Sequence, residues 1–247
     1  MIPSVDLKDG KKLTLSEAKE FFETNIKTNA DFTTIVEEIN KFGRFSEDKI
    51  EFIAANKVEL ASEDVDTDTA LATRIVLQSG KSLVSYQLTE KGKNLKHDIM
   101  GAVLNENNNK LISIIIEQGH IVNTAYEYDG ELEQDFEEGL PDNENFKEGQ
   151  SLSAVEAQYK WGDGCYPLYK HCGRNCGDNG DYGGGTPKNP YDTCCRTHDR
   201  CWAAYGTNNC GCDCALISCA KKNWVYAPAA LHIVLLAYFP VKDSCKC

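Results

Sequence analysis

The sequence predicts an α+β N-terminal domain, helices plus a small antiparallel sheet, followed by a mainly α, disulfide-rich domain with two antiparallel stapled helices. Three observations predict it. All twelve cysteines lie between Cys165 and Cys247. Before them, helical periodicity gives way near Ala70 to short β-branched runs separated by polar turns. Within the cysteine region, two segments carry cysteines on one helical face at matching intervals.

Residues 14–57 read as two or three amphipathic helices. Ser16-Glu-Ala-Lys-Glu-Phe-Phe opens on a capping-type serine, Phe32-Thr-Thr-Ile-Val-Glu-Glu-Ile spaces its apolar residues helically, and Ser46-Glu-Asp-Lys-Ile-Glu-Phe-Ile reads as another start. From Ala70 the pattern becomes strands. Arg74–Gln78 and Leu83–Leu88 flank the turn Ser79-Gly80-Lys81, Ile99–Leu104 and Leu111–Glu117 flank the polar Asn105–Lys110, and Ile121–Tyr128 makes a fifth. His97 and His120 have no companion residues that would give them chemistry, and neither receives a role.

Glu127–Glu148 holds ten acidic residues and one lysine and reads as a solvated linker. The expected organisation is therefore 1–130 as the α+β domain, of pro-region, inhibitor or adaptor character, 131–160 as acidic linker, and 161–247 as the cysteine domain. Charge divides the same way. Residues 1–160 hold seventeen Lys/Arg against thirty-one Asp/Glu, and residues 161–247 hold nine against seven. The acidic balance argues against nucleic acid as a partner.

Twelve cysteines in so short a span read as a disulfide framework. No Cys-x-x-Cys occurs to suggest structural zinc. Disulfides imply secretion or another oxidising compartment. The segment Met1–Asp9 has no apolar h-region of a secretion signal.

Asn189–Tyr205 and Asn208–Lys222 read as antiparallel helices turning at Gly206, with Pro190 in the first turn. Facing positions in such a pair keep a nearly constant sum of residue numbers. Cys194 with Cys219 and Cys201 with Cys212 share one sum, and His198 with Asp213 falls within a turn of it. Cys194, His198 and Cys201 lie at i, i+4 and i+7 on one face. Two bridges thus bracket a His–Asp pair. A disulfide closing a loop of about fifteen residues adds roughly 3 kcal/mol. Taken singly, His198 is a structural histidine and Asp199 and Asp213 are surface carboxylates. Together they form a candidate site.

Cys194-Cys-x-x-His-Asp-x-Cys201, then Cys210-x-Cys212-Asp213 and Cys219, resembles the secretory phospholipase A2 family over residues 161–247. The resemblance implies bridges Cys194–Cys219 and Cys201–Cys212. It also implies calcium-dependent hydrolysis of the sn-2 ester of glycerophospholipids, with His198 activating water and Asp213 orienting it. His171-Cys172-Gly173-Arg174-Asn175 is similar to the family's calcium loop. That match implies Ca2+ held by the carbonyls of His171, Gly173 and Asn175 with the Asp199 carboxylate, and a bridge Cys172–Cys195. A register starting at Cys176-Gly177-Asp178 is the alternative. The implied partner is a phospholipid membrane or micelle surface, engaged at the interface.

Two positions depart from the family pattern. Asn175 stands where glycine is usual, and Trp202 where tyrosine usually anchors the partner aspartate. They sustain a second expectation, a non-catalytic membrane-active or antimicrobial toxin on the same scaffold, restrained by the N-terminal domain. Gly183-Gly-Gly-Thr-Pro187 lacks the lysine of a phosphate-binding loop and reads as a connector. Ala229–Phe239, as a helix, would be about 16 Å long, too short for a ~30 Å bilayer core. Pairings of Cys165, Cys176, Cys210, Cys214, Cys245 and Cys247 are left open.

Overall fold

The computed structural model describes residues 5–62, 69–105, 108–128, 135–150, 164–207, 209–238 and 245. Its centre is a seven-stranded antiparallel sheet in sequence order: β1 (Val5–Lys12), β2 (Glu51–Ser62), β3 (Thr69–Ser79), β4 (Ser82–Lys91), β5 (Asn94–Asn105), β6 (Lys110–Glu117) and β7 (His120–Glu127). Between β1 and β2 lie α1 (Leu15–Phe21), a π-helical turn (Phe22–Ile26) and α2 (Ala30–Phe42). The capping serine expected at Ser16 yields to Thr14, whose side chain forms a reciprocal capping box with Glu17.

The sheet is larger than the small one expected, because two strands were hidden. The third helix expected from Ser46 is a short 3-10 turn, Glu47–Lys49, and residues 51–57 belong to β2. The doublets Phe52-Ile53 and Ala54-Ala55 imitate a helical stripe. Pairing with β1 on one side and β3 on the other wins, because it satisfies β2's backbone along its length. β1 is a charged strand, with Lys8, Lys11 and Lys12, at the sheet's edge. Lysines there discourage pairing with other chains, and they also conceal the strand from hydrophobic pattern reading.

Successive residues point to opposite faces, and both faces are covered. On one, the π-helical turn packs Phe22 and Ile26, and α2 packs Phe32, Ile35 and Ile39, against Ile75, Val84 and Ile114. Gly101 matters here, since a Cβ would lie 2.8 Å from Ile35 Cγ2. On the other face lies the cysteine-rich layer: α3 (Pro190–Tyr205), α4 (Cys210–Lys222), a 3-10 turn (Trp224–Tyr226) and α5 (Ala229–Tyr238). One core joins Val76, Leu83, Met100 and Leu111 of the sheet to Tyr191, Leu216, Trp224 and Leu235. Trp224 Nε1 donates to the Gly101 carbonyl at 3.3 Å. Lys221 pairs with the buried Asp98 at 2.5 Å, and Lys222 pairs with Glu117 at 3.2 Å. The two sequence regions therefore share one interior.

Residues 135–150, inside the expected acidic linker, are mostly solvated but anchored to the sheet. Phe136 is buried, 5.7 Å centre to centre from Trp224 and beneath the buried Arg74 guanidinium. Asn143 donates to Asp9, the Lys12 backbone donates to Asp142, and Lys12 and Lys57 pair with Glu137 and Glu148. The acidic charges answer the lysines of β1 and β2, and one aromatic anchor holds the strap. Residues 129–134 and 151–163 of the expected linker and domain boundary lie outside the described residues.

Candidate active site

α3 begins where its sequence says it must. Asn189 caps it by accepting the Asp192 N–H, and Pro190 occupies the first turn. Gly206, at φ 91, ends it in a conformation side chains resist. α4 is capped by Asn209, which accepts from the Gly211 and Cys212 N–H groups. Disulfides join Cys194 to Cys219 and Cys201 to Cys212 across the pair, and Cys172 to Cys195 at the loop. Cys165–Cys176 and Cys210–Cys245 complete the bridges between described residues, and Cys214 is also disulfide-bonded. Cys247 lies outside the described residues.

Between the two cross-helix bridges, His198 Nε2 stands 2.9 Å from Asp213 Oδ1. Trp202, one turn beyond His198, donates its indole N–H to the same oxygen at 2.9 Å and packs its ring 4.4 Å from the imidazole centre. The departure at Trp202 thus still supplies Asp213 with a donor. The Cys210–Cys245 bridge lies beside the other oxygen, with Cys245 Sγ 3.9 Å from Asp213 Oδ2. Both the imidazole and the carboxylate are shielded, at 0% and 1% side-chain exposure. Such a carboxylate fixes the imidazole's tautomer and stabilises its protonated form.

The loop expected to ligate calcium is a succession of positive-φ residues: Gly173 at 143°, Asn175 at 55° and Gly177 at 114°. Asn175 adopts the left-handed conformation that asparagine tolerates. Its side chain donates to Asp181 at 2.7 Å, and its carbonyl accepts the Tyr182 N–H at 3.3 Å. Gly173 pairs with Cys165 in a two-stranded ladder of β8 (Gly164–Cys165) and β9 (Gly173–Arg174). His171 is fully buried, its Nε2 2.9 Å from the Gly185 carbonyl.

Asp192 does what the sequence did not suggest. Its fully buried carboxylate accepts four backbone N–H groups, from Lys170, His171, Cys172 and Lys188, at 2.8–3.2 Å. It fastens the loop to the first turn of α3. The only signal was an acidic residue at the third position after the cap, and that position ordinarily reads as a helix-dipole charge.

Asp199, beside His198, faces the loop. A Cβ on Gly177 would lie 2.7 Å from its Oδ2, so glycine is required at this approach. Burial, and then the nearby Asp178 and Asp192 carboxylates, push the Asp199 carboxyl up to about 7. Such a half-buried acid among acids is a place where a cation would relieve both desolvation and repulsion, so this carboxylate is suited to a hard cation such as calcium. Gly177 and Asp178 belong to the second loop register, and they, rather than Asn175, lie nearest this carboxylate among the contacts described. Asp178 is itself held by Arg200 at 2.6 Å. Among the described residues, no three His, Cys, Asp or Glu side chains cluster as a metal site. A centre built mainly of peptide carbonyls needs no such cluster.

No family model, curated protein or solved structure matches this chain.

Proposed function

We propose that the chain is a calcium-dependent phospholipase A2 that hydrolyses the sn-2 acyl ester of glycerophospholipids. The observation that carries this is the 2.9 Å His198–Asp213 contact locked between two cross-helix disulfides. Asp213 engages Nε2, so base chemistry falls to Nδ1. That nitrogen takes a proton from water as the oxygen attacks the ester carbonyl, and the imidazolium later returns it to the departing glycerol oxygen. Asp213, itself held by Trp202, stabilises the imidazolium throughout. Calcium, when bound by Asp199 and loop carbonyls from the segment His171–Asp178, supplies the polarisation of the ester carbonyl.

The expected arena is a phospholipid surface in an oxidising compartment. The disulfides are consistent with that setting. No described helix is long and apolar enough to cross a membrane.

The complete burial of the His198 side chain supports a further element of the reading: this form is restrained. The sheet and its acidic strap act as the intramolecular regulator, through the shared core and the Lys221–Asp98 and Lys222–Glu117 pairs. The same burial is what favours a second reading, a membrane-active scaffold without turnover. Fatty-acid release from mixed micelles, measured in calcium and again in EGTA, separates the two. Calcium-dependent release of the sn-2 acid supports the enzyme. Vesicle leakage that persists in EGTA without any lysolipid supports the scaffold.

A further inference from the structure

A second site lies away from the dyad. A cavity of about 290 Å³ opens where the sheet, the acidic strap and the loop before α3 meet. Its walls include five aromatic rings, Tyr128, Phe136, Tyr166, Tyr169 and Tyr226, with the Glu138 carboxylate and the Lys188 ammonium. Asn189, the cap of α3, also lines it and precedes His198 by nine residues, or roughly 13 Å along the helix axis. The cavity is thus distinct from the His198–Asp213 pair.

The rings are held in place. The Tyr169 hydroxyl donates to the Tyr226 carbonyl at 2.6 Å and accepts from Asn189 at 3.1 Å. Burial pushes the Tyr169 phenol up to about 12, so it stays neutral at physiological pH. Tyr166 meets Tyr169 edge to face at 5.8 Å. Gly139, at φ 75, gives Tyr166 its space, because a Cβ there would fall 2.8 Å from the hydroxyl. The strap thereby delivers Phe136 and Glu138 to the cavity and leaves room for Tyr166 beside Gly139.

Two features point to a cation as the guest. The chain already sets one of its own cations on this surface, with Lys188 Nζ 5.0 Å above the Tyr169 ring. At the rim, Leu168 is 78% exposed and adopts φ 68, a conformation a leucine rarely accepts. Such strain gathers at binding sites. Aromatic rings with a carboxylate recognise quaternary ammonium groups. The ring faces attract a diffuse cation whose methyl shell costs little to desolvate.

We infer that this cavity binds a quaternary ammonium head, with the ammonium among the tyrosines beside Glu138 and an attached phosphate meeting Lys188. The chemistry is that of phosphocholine, whether as a free ester or as the head of a lipid. The volume sits at the lower edge of ligand cavities, about 300 Å³, and suits a head group rather than a whole diacyl lipid.

The test is calorimetric titration of the full chain with tetramethylammonium, choline and phosphocholine. Tetramethylammonium and choline should bind saturably, while ammonium at the same concentration should not. Glu138→Gln should weaken choline about tenfold. Phosphocholine should bind more tightly than choline, and Lys188→Ala should erase that margin. Both side chains are exposed, so melting temperatures matching the parent's establish that these variants fold. His198→Gln should bind like the parent, so failure here is distinguishable from failure of the hydrolytic reading. Capture of phosphatidylcholine vesicles over phosphatidylglycerol vesicles, reversed by phosphocholine, assigns the lipid source. Binding of phosphocholine without vesicle capture assigns the free ester. Absence of saturable tetramethylammonium binding, or equal choline affinity in Glu138→Gln, overturns the inference.

Discussion

Replacing Trp202 with phenylalanine isolates the group that positions the dyad from behind. The indole N–H donates to Asp213 Oδ1 at 2.9 Å, and that oxygen also receives His198 Nε2. Trp202 is 5% exposed and Asp213 is buried, so water cannot replace the lost donor without entering the core. A hydrogen bond to a buried charged group is worth about 1.5–3 kcal/mol. The smaller ring adds a packing loss of about 1 kcal/mol, and unfolding stability should fall by about 2.5–4 kcal/mol. In the proposed mechanism carboxylate positioning acts on the imidazolium of the transition state, so kcat should drop about tenfold with KM nearly unchanged. Tyrosine at 202 restores a donor and should recover part of the loss. Urea unfolding followed by circular dichroism, with initial rates of fatty-acid release, reads both effects. Wild-type stability and kcat in Trp202→Phe would refute the proposed role of this bond.

The Cys194→Ala/Cys219→Ala pair should lose about 3 kcal/mol, since the bridge closes a separation of 25 residues, and urea midpoints check it. Phe136→Ala should cost about 3–5 kcal/mol and expose the acidic strap to limited proteolysis, whereas a solvated linker would be cut equally in both proteins. Burial, with the nearby Arg74 and Lys221 charges, holds the His232 imidazole well below its usual range. The unfolded chain therefore binds the extra proton below about pH 6.5, and the stability His232 contributes is full above that pH and lost as pH falls, by up to about 1.4 kcal/mol per unit. His232→Leu should flatten that slope in thermal melts between pH 7.5 and 5.5.

The helix pair was legible in the sequence because its signals are local and covalent. Asparagine caps, Pro190, Gly206 and evenly spaced cysteines fix the ends and the register of α3 and α4. The His198–Asp213 contact followed from that register. β1 and β2 were not legible, because their strand character comes from partners far along the chain rather than from their own pattern. The strap was hidden for a related reason. Ten acidic residues announce solvation, and a single Phe136 between Arg74 and Trp224 cannot be recognised until the sheet and the 3-10 turn exist. Asp192 shows the same limit at the site. Its four N–H partners come from two separate loop segments, and no spacing rule connects them.

The proposed hydrolysis turns on the His198 imidazole acting as the base that draws a proton from water. The most direct test compares sn-2 fatty-acid release by the parent and by His198→Gln, at equal calcium and with matching melting curves. Loss of turnover to background in the variant is the predicted result. Release at the parent's rate would contradict the proposed mechanism, because no hydrolysis routed through this dyad survives without the ring.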